Sequence, residues 1–125
     1  MYSEYLAEKV FPIEGDISED NLGMKSEDWN LLAEEVDVIF NIAASVDFIA
    51  RLDINMRINT RGAMNILQLA KACSKIQVLC QISTAYANSQ KPKGPVEETI
   101  DEDDVEKLES ILEEVLQMSP EEVEE

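Results

Sequence analysis

Histidine is absent from this 125-residue sequence. That removes the commonest general base near neutral pH and the commonest metal ligand. Cysteine occurs only at 73 and 80, in apolar stretches. No zinc-ligand spacing is present, and both thiols read as buried and reduced. No apolar run approaches ~18 residues, so no membrane span is expected. The opening MYSEYLAEKV lacks the basic-then-apolar pattern of a secretory signal, and the chain reads as intracellular with no organelle specified. Bases are scarce, 10 Lys and Arg against 27 Asp and Glu. The excess is concentrated late: residues 97–125 carry 14 acids and one lysine. A net charge of −17 argues against a nucleic-acid partner, whose phosphates would be repelled. Glycine occurs only at 15, 23, 62 and 94, so no G-x-x-G-x-x-G phosphate loop exists in this sequence.

Hydrophobic residues make up 45% of the chain, enough for one modest core. Residues 9–14 read as a short strand ending at Gly15-Asp16, followed by the polar loop SEDNLG. Ser26 can cap a helix running to about Glu35, with Glu27 and Asp28 in its first turn. Residues 36–41 form a continuous apolar strand, of the kind buried on both faces in a parallel sheet. Asp53 can cap a long helix to about Ser74, with Ile54, Ile58, Ile66, Leu69, Ala70 and Cys73 at a 3.6 period. Residues 77–82, QVLCQI, form another strand. Strand, helix, strand, helix, strand predicts an α/β fold with parallel strands. A Pro- and Gly-containing loop covers 87–100, an amphipathic acidic helix is expected over 101–118, and Ser119-Pro120 looks like a cap and first-turn proline opening a further helix. The expected organisation is a strand–helix core over 1–90 and an acidic loop and helix over 91–125.

In open α/β sheets ligands bind beyond the carboxyl ends of the strands. Three distinctive sequences fall there: GDIS at Asp16, NIAAS at Asn41, and STAY at Ser83. A carboxylate at Asp16 can accept from an exocyclic amine while the Ile17 amide donates to a ring nitrogen. Ala43, Ala44 and Ser45 let a large ligand approach the backbone. Ser83 and Thr84 place hydroxyls at the same edge. Asn59, with Gly62 one turn on, marks a helix face where something packs closely or an amide is required; a mid-helix glycine costs ~1 kcal/mol relative to alanine. Each motif alone is as well explained by turns, packing or capping. Their agreement in order and spacing is what points to a ligand.

Together, GDISEDNLG, EEVDVIFNIAASVDF, INTRGAMNILQLAKAC and ISTAYAN resemble the central reductase domain of fatty acyl-CoA reductases, the male-sterility-type extended short-chain dehydrogenases, over about residues 9–90. The resemblance implies a Rossmann-type doubly wound parallel sheet binding NADPH, and reduction of fatty acyl-CoA through the aldehyde to a primary alcohol. By position, Asp16 and Ile17 would meet the adenine, and Ala43, Ala44 and Ser45 would line the ribose and nicotinamide side. Asn59 matches the superfamily's helix asparagine, and Ser83 or Thr84 the hydroxyl that polarises the substrate carbonyl.

The family's Gly-rich segment and its Tyr-x-x-x-Lys after the serine-bearing strand are both absent from these 125 residues. Tyr5 and Lys9 have that spacing but precede the first strand and read as a connecting helix. The expectation is therefore an internal part of a longer reductase, a partial Rossmann-type domain lacking its first two strands and inactive alone. Two other readings stand beside it. One is another extended reductase, either a thioester reductase domain or a nucleotide-sugar epimerase. The other is a non-catalytic protein binding a partner through its acidic helix.

Overall fold

The computed structural model describes residues 6, 8–84, 86, 89, 91–97 and 105–124. Its described elements alternate as expected of an α/β fold. A turn at Asp20–Gly23 leads to α1 (Ser26–Glu35), β1 (Val38–Asn41), α2 (Leu52–Asn55), a π-helical segment (Met56–Arg61), α3 (Gly62–Ala72), β2 (Val78–Gln81), α4 (Val105–Gln117) and α5 (Pro120–Glu124). The two strands pair in parallel, with Val38 opposite Val78 and Asn41 opposite Gln81. Parallel neighbours require a long crossover. Here α2, the π segment and α3 supply it end to end, since Asn55, Arg61 and Gly62 at the junctions all hold right-handed helical angles.

One face of the sheet meets the helices. Leu22, Leu69 and Cys73 form the buried centre, with Ile17, Trp29, Leu32, Ile39 and Ile66 among the side chains packed on it. Burial pushes the Cys73 thiol pKa up, and both cysteines are free. The alternation of the strands sends Val38, Phe40 and Val78 to the other side, where they are exposed, Phe40 at 65%. α4 closes a second contact, burying Leu112 and Val115, with Glu113 ion-paired to Arg61 of the π segment. Ser119 and Glu122 form a reciprocal cap for α5: the Ser119 N–H donates to Glu122 Oε2 at 2.8 Å, and the Glu122 N–H donates to Ser119 Oγ at 3.4 Å. No described helix is long and apolar enough to cross a membrane.

Three sequence expectations need correcting. Residues 9–14 are not a strand: Lys9 ends a helical turn in which the Val10 N–H donates to the Leu6 carbonyl at 2.8 Å, and Phe11 is exposed. A strand exists only through a neighbour's ladder, and the described sheet has two strands, neither of them there. Asp53 does not cap its helix. Arg51 occupies the N-cap position, and the guanidinium claims both Asp53 oxygens, Nε to Oδ1 at 3.0 Å and Nη2 to Oδ2 at 2.8 Å. A charged planar fork is a stronger donor for a carboxylate than backbone amides. In α1 the cap position is Lys25 rather than Ser26, which is already helical. Tyr5 and residues 101–104 lie outside the described residues.

Candidate functional site

The site begins where β1 and β2 end. Asn41 and Gln81 are partners in register, and the buried Asn41 donates from Nδ2 to Gln81 Oε1 at 2.7 Å. The Ile82 N–H donates to the Asn41 carbonyl at 3.0 Å, one step beyond the ladder. Residues 42–45 and 82–84 therefore leave the sheet at one edge. Phe48 and Tyr86, further along the two tails, meet edge to face with centroids 6.2 Å apart.

Ala43 and Ala44 are exposed, and Ser45 is half-buried. Ser45 is held by Asn59. Its N–H donates to Asn59 Oδ1 at 2.8 Å, and Asn59 Nδ2 donates to its carbonyl at 3.1 Å. A carboxamide thus takes the place of a neighbouring peptide unit at the end of β1. Ser45 Oγ then accepts from the Asp47 N–H at 3.3 Å, starting the turn that follows. One helical turn before Asn59, Asn55 Nδ2 donates to the Asp47 and Ala50 carbonyls at 3.1 and 3.2 Å.

The same helix holds the Asp16 segment. An added Cβ at Gly62 would lie 2.8 Å from Ile17 Cγ1, so Ile17 sits where only glycine leaves room. Three residues on, the buried Asn65 donates from Nδ2 to the carbonyls of Ile17 and Glu19, both at 3.0 Å. Asn21, Leu22 and Gly23 all have φ between 50° and 58°. That conformation is unfavourable for leucine. Burial of the Leu22 side chain offsets it, and the turn aims the Leu22 carbonyl at the Asp16 N–H, 2.7 Å away.

Asp16 Oδ1 accepts from both the Ser18 hydroxyl, at 2.7 Å, and the Ser18 N–H, at 2.9 Å. These two donors hold the Asp16 carboxyl below its ordinary pKa. Oδ2 and the Ile17 N–H make no hydrogen bond among the described residues. An acceptor and a donor are thus left on adjacent residues, beside an open depression lined by Gly15, Asp16, Gly23 and Lys25 among others.

Ser83 and Thr84 are both exposed. Thr84 Oγ1 accepts from the Tyr86 N–H at 3.3 Å, while the Ser83 hydroxyl has no hydrogen-bond partner among the described residues. Asn59 reaches neither by hydrogen bond, since both ends of its amide go to Ser45. The structure therefore brings Asp16, Ile17 and Ser45 onto one helix through Gly62, Asn65 and Asn59, with Ser83 and Thr84 leaving the sheet beside the Ser45 tail. Asn55 and Asn65 were missed from the sequence. Their sequence signal is the recurrence of asparagine, at 55, 59 and 65, within a single helix.

The chain matches the family model described as male sterility protein, an NAD-binding domain, over residues 1–122. It is 49% identical over 90 residues to fatty acyl-CoA reductase 8 of Arabidopsis thaliana, covering 70% of this chain and 18% of that protein. It is 40% identical over 93 residues to an alcohol-forming fatty acyl-CoA reductase of Simmondsia chinensis, covering 72% of this chain and 18% of the relative. Fatty acyl-CoA reductase 2, chloroplastic, of Arabidopsis thaliana is 40% identical over 90 residues, with 72% and 15% covered. The chain thus spans less than a fifth of the length of these relatives.

Proposed function

Because the chain belongs to the male sterility protein family of NAD-binding domains, we propose that it forms the cofactor- and carbonyl-facing edge of an NADPH-dependent fatty acyl-CoA reductase. The product in this reading is a primary alcohol, formed through the aldehyde. The observation that carries the proposal is the attachment of two separate chain segments, 16–19 and 45, to the same crossover helix by Asn65 and Asn59. Its two strands belong, in this reading, to a larger doubly wound sheet. The exposed Val38, Phe40 and Val78 support that, since parallel sheets bury both faces.

In the proposed complex, Asp16 Oδ2 and the Ile17 N–H take the adenine, as acceptor and donor. Ala43, Ala44 and Ser45 flank the ribose and nicotinamide, where small side chains permit close approach. When bound, the reduced nicotinamide supplies the hydride. The chain's own contribution to the chemistry is a hydroxyl, Ser83 or Thr84, donating to the carbonyl oxygen as it gains charge. A donor placed in advance at a developing oxyanion is worth about 3–4 kcal/mol of barrier. Asn59 keeps the cofactor-lining residue Ser45 in place. Acyl-CoA to aldehyde releases the CoA thiol and uses one hydride and one proton, and aldehyde to alcohol uses one more of each.

The test is made in a reductase of full family length that carries these residues. Incubation with a long-chain acyl-CoA is expected to consume about two NADPH per fatty alcohol formed, with NADH a poor substitute. Release of aldehyde with one NADPH consumed would replace the alcohol-forming assignment. Turnover of a nucleotide sugar with no acyl-CoA reduction would overturn the reading altogether.

A further inference from the structure

Asn65 lies outside the residues that face cofactor or substrate in this reading, yet it is 8% exposed and both of its amide hydrogens are spent on backbone carbonyls two residues apart. The geometry points to Asn65 as a positioning residue for adenine recognition: by fixing the Ile17 and Glu19 carbonyls it sets the Ile17 N–H beside the Asp16 carboxylate. This inference rests on the adenine placement proposed above.

The 16–19 segment is fastened at three places. Leu22 accepts from the Asp16 N–H and donates to the Glu19 carbonyl, Ser18 donates to Asp16 Oδ1, and Asn65 donates to the carbonyls of Ile17 and Glu19, while within the segment the Glu19 N–H donates to the Asp16 carbonyl. The first two are local, within six residues of Asp16. Among the described residues only Asn65, 48 positions from Ile17, ties the segment to the crossover helix by hydrogen bonds. The closeness this requires is provided by Gly62, where any Cβ would strike Ile17. Asparagine suits the position by length and charge. Aspartate has no donors and would face two carbonyl oxygens, and glutamine is one methylene too long for the gap Gly62 sets.

Among the described residues, Asp16 Oδ2, an acceptor, and the adjacent Ile17 N–H, a donor, make no hydrogen bond. Adenine presents the complement, a donating 6-amino group beside an accepting N1. Hypoxanthine presents the reverse, a carbonyl oxygen beside N1–H. A site whose two polar groups are correctly spaced rejects the reversed pattern strongly, since both are then left unpaired. If Asn65 sets the spacing, loss of Asn65 removes the discrimination rather than binding in general.

The experiment measures dissociation constants for NADPH and for its hypoxanthine analogue, by fluorescence of the reduced nicotinamide, in a reductase of full family length carrying these residues. The unsubstituted protein is expected to favour NADPH by about 100-fold. Asn65→Asp is expected to bring that ratio below about 5-fold, chiefly by weakening NADPH, with kcat at saturating NADPH unchanged. Should Asn65→Asp fail to fold, Asn65→Ser, which shortens the reach without adding charge, carries the same expectation. General destabilisation would weaken both ligands alike, so a retained 100-fold ratio in the variants overturns the proposal. Absence of discrimination in the unsubstituted protein would instead show that the adenine placement itself is wrong, and the proposal falls with it.

Discussion

Asn59 holds Ser45 by both of its backbone groups, accepting from the N–H at 2.8 Å and donating to the carbonyl at 3.1 Å. Since both bonds lie at an exposed position, Asn59→Ala is expected to cost about 1 kcal/mol, the usual net worth of such bonds. The sharper readout is local: the Ser45 amide should exchange with solvent at least tenfold faster in the variant. An unchanged exchange rate at Ser45 would mean that the pair does not hold in solution.

Gly62 and Ile17 make a second close relationship. Alanine at 62 gains about 1 kcal/mol of helix propensity but brings Cβ within 2.8 Å of Ile17 Cγ1 and 3.3 Å of the Ile17 carbonyl oxygen. Overpacking costs about 1–3 kcal/mol, so Gly62→Ala should destabilise the chain by about 1 kcal/mol in urea denaturation. Combined with Ile17→Ala, the same change should become neutral or stabilising. Strict additivity of the two substitutions would contradict a shared contact.

The attachment of α4 is apolar before it is ionic. Leu112 is 3% exposed, whereas Arg61 and Glu113 have side chains 34% and 53% exposed. Leu112→Ala is expected to cost about 3 kcal/mol and Glu113→Gln less than about 1 kcal/mol, compared by urea unfolding and amide exchange within 105–117. The opposite ranking would make charge the main tether.

Acid should loosen three local structures. Asp53 is held below its ordinary pKa chiefly by hydrogen bonds from Arg51, Asp16 by Ser18, and Glu122 by the Ser119 amide and hydroxyl. A carboxyl depressed on folding contributes stability above its unfolded pKa, near 4, and loses that contribution as pH falls through the folded value. Melting temperature should thus fall as pH drops below about 4, and Asp53→Asn should fall less steeply than the parent. Parallel pH curves for the two would exclude the Arg51 pair as a source of acid sensitivity.

At the sheet edge, Ser83→Ala and Thr84→Ala separate the two hydroxyls. Loss of the carbonyl donor should lower kcat by about 10²–10³-fold with little change in the NADPH dissociation constant. Loss of the other hydroxyl should leave kcat within about threefold. If neither variant lowers kcat tenfold, the donor lies elsewhere.

The elements whose signals are local were legible in the sequence. The strands expected over 36–41 and 77–82 are found paired in parallel at 38–41 and 78–81, and Ser119-Pro120 opened a helix as its cap pattern indicates. Gly62 with Asn59 marked a helix face of close approach, and both Ile17 and Ser45 pack there. Features set by a distant partner were not legible. Residues 9–14 have strand composition, but pairing is a property of two segments. Asp53 looks like a cap until Arg51 competes for it. Asn21, Leu22 and Gly23 read as a polar loop, and nothing local announces that a leucine will take a positive φ so as to bury its side chain. Apolar strands suggested two covered faces. Composition reports that a face is apolar and is silent on what lies against it.

The π-helical segment Met56–Arg61 carries Asn59 and stands between Asn55, which grips the 47–50 turn, and Asn65, which grips the 16–19 segment. Its wider turn accommodates one more residue than an α-helical ladder would. Winding the same residues as an uninterrupted α-helix would rotate Asn55 relative to Asn65 by about 100°. The two ends of one rod would then point their amides to different quarters. That surplus residue works as a phase shifter, allowing one continuous helix to serve two backbone clients that no uniform winding of the same sequence would face together.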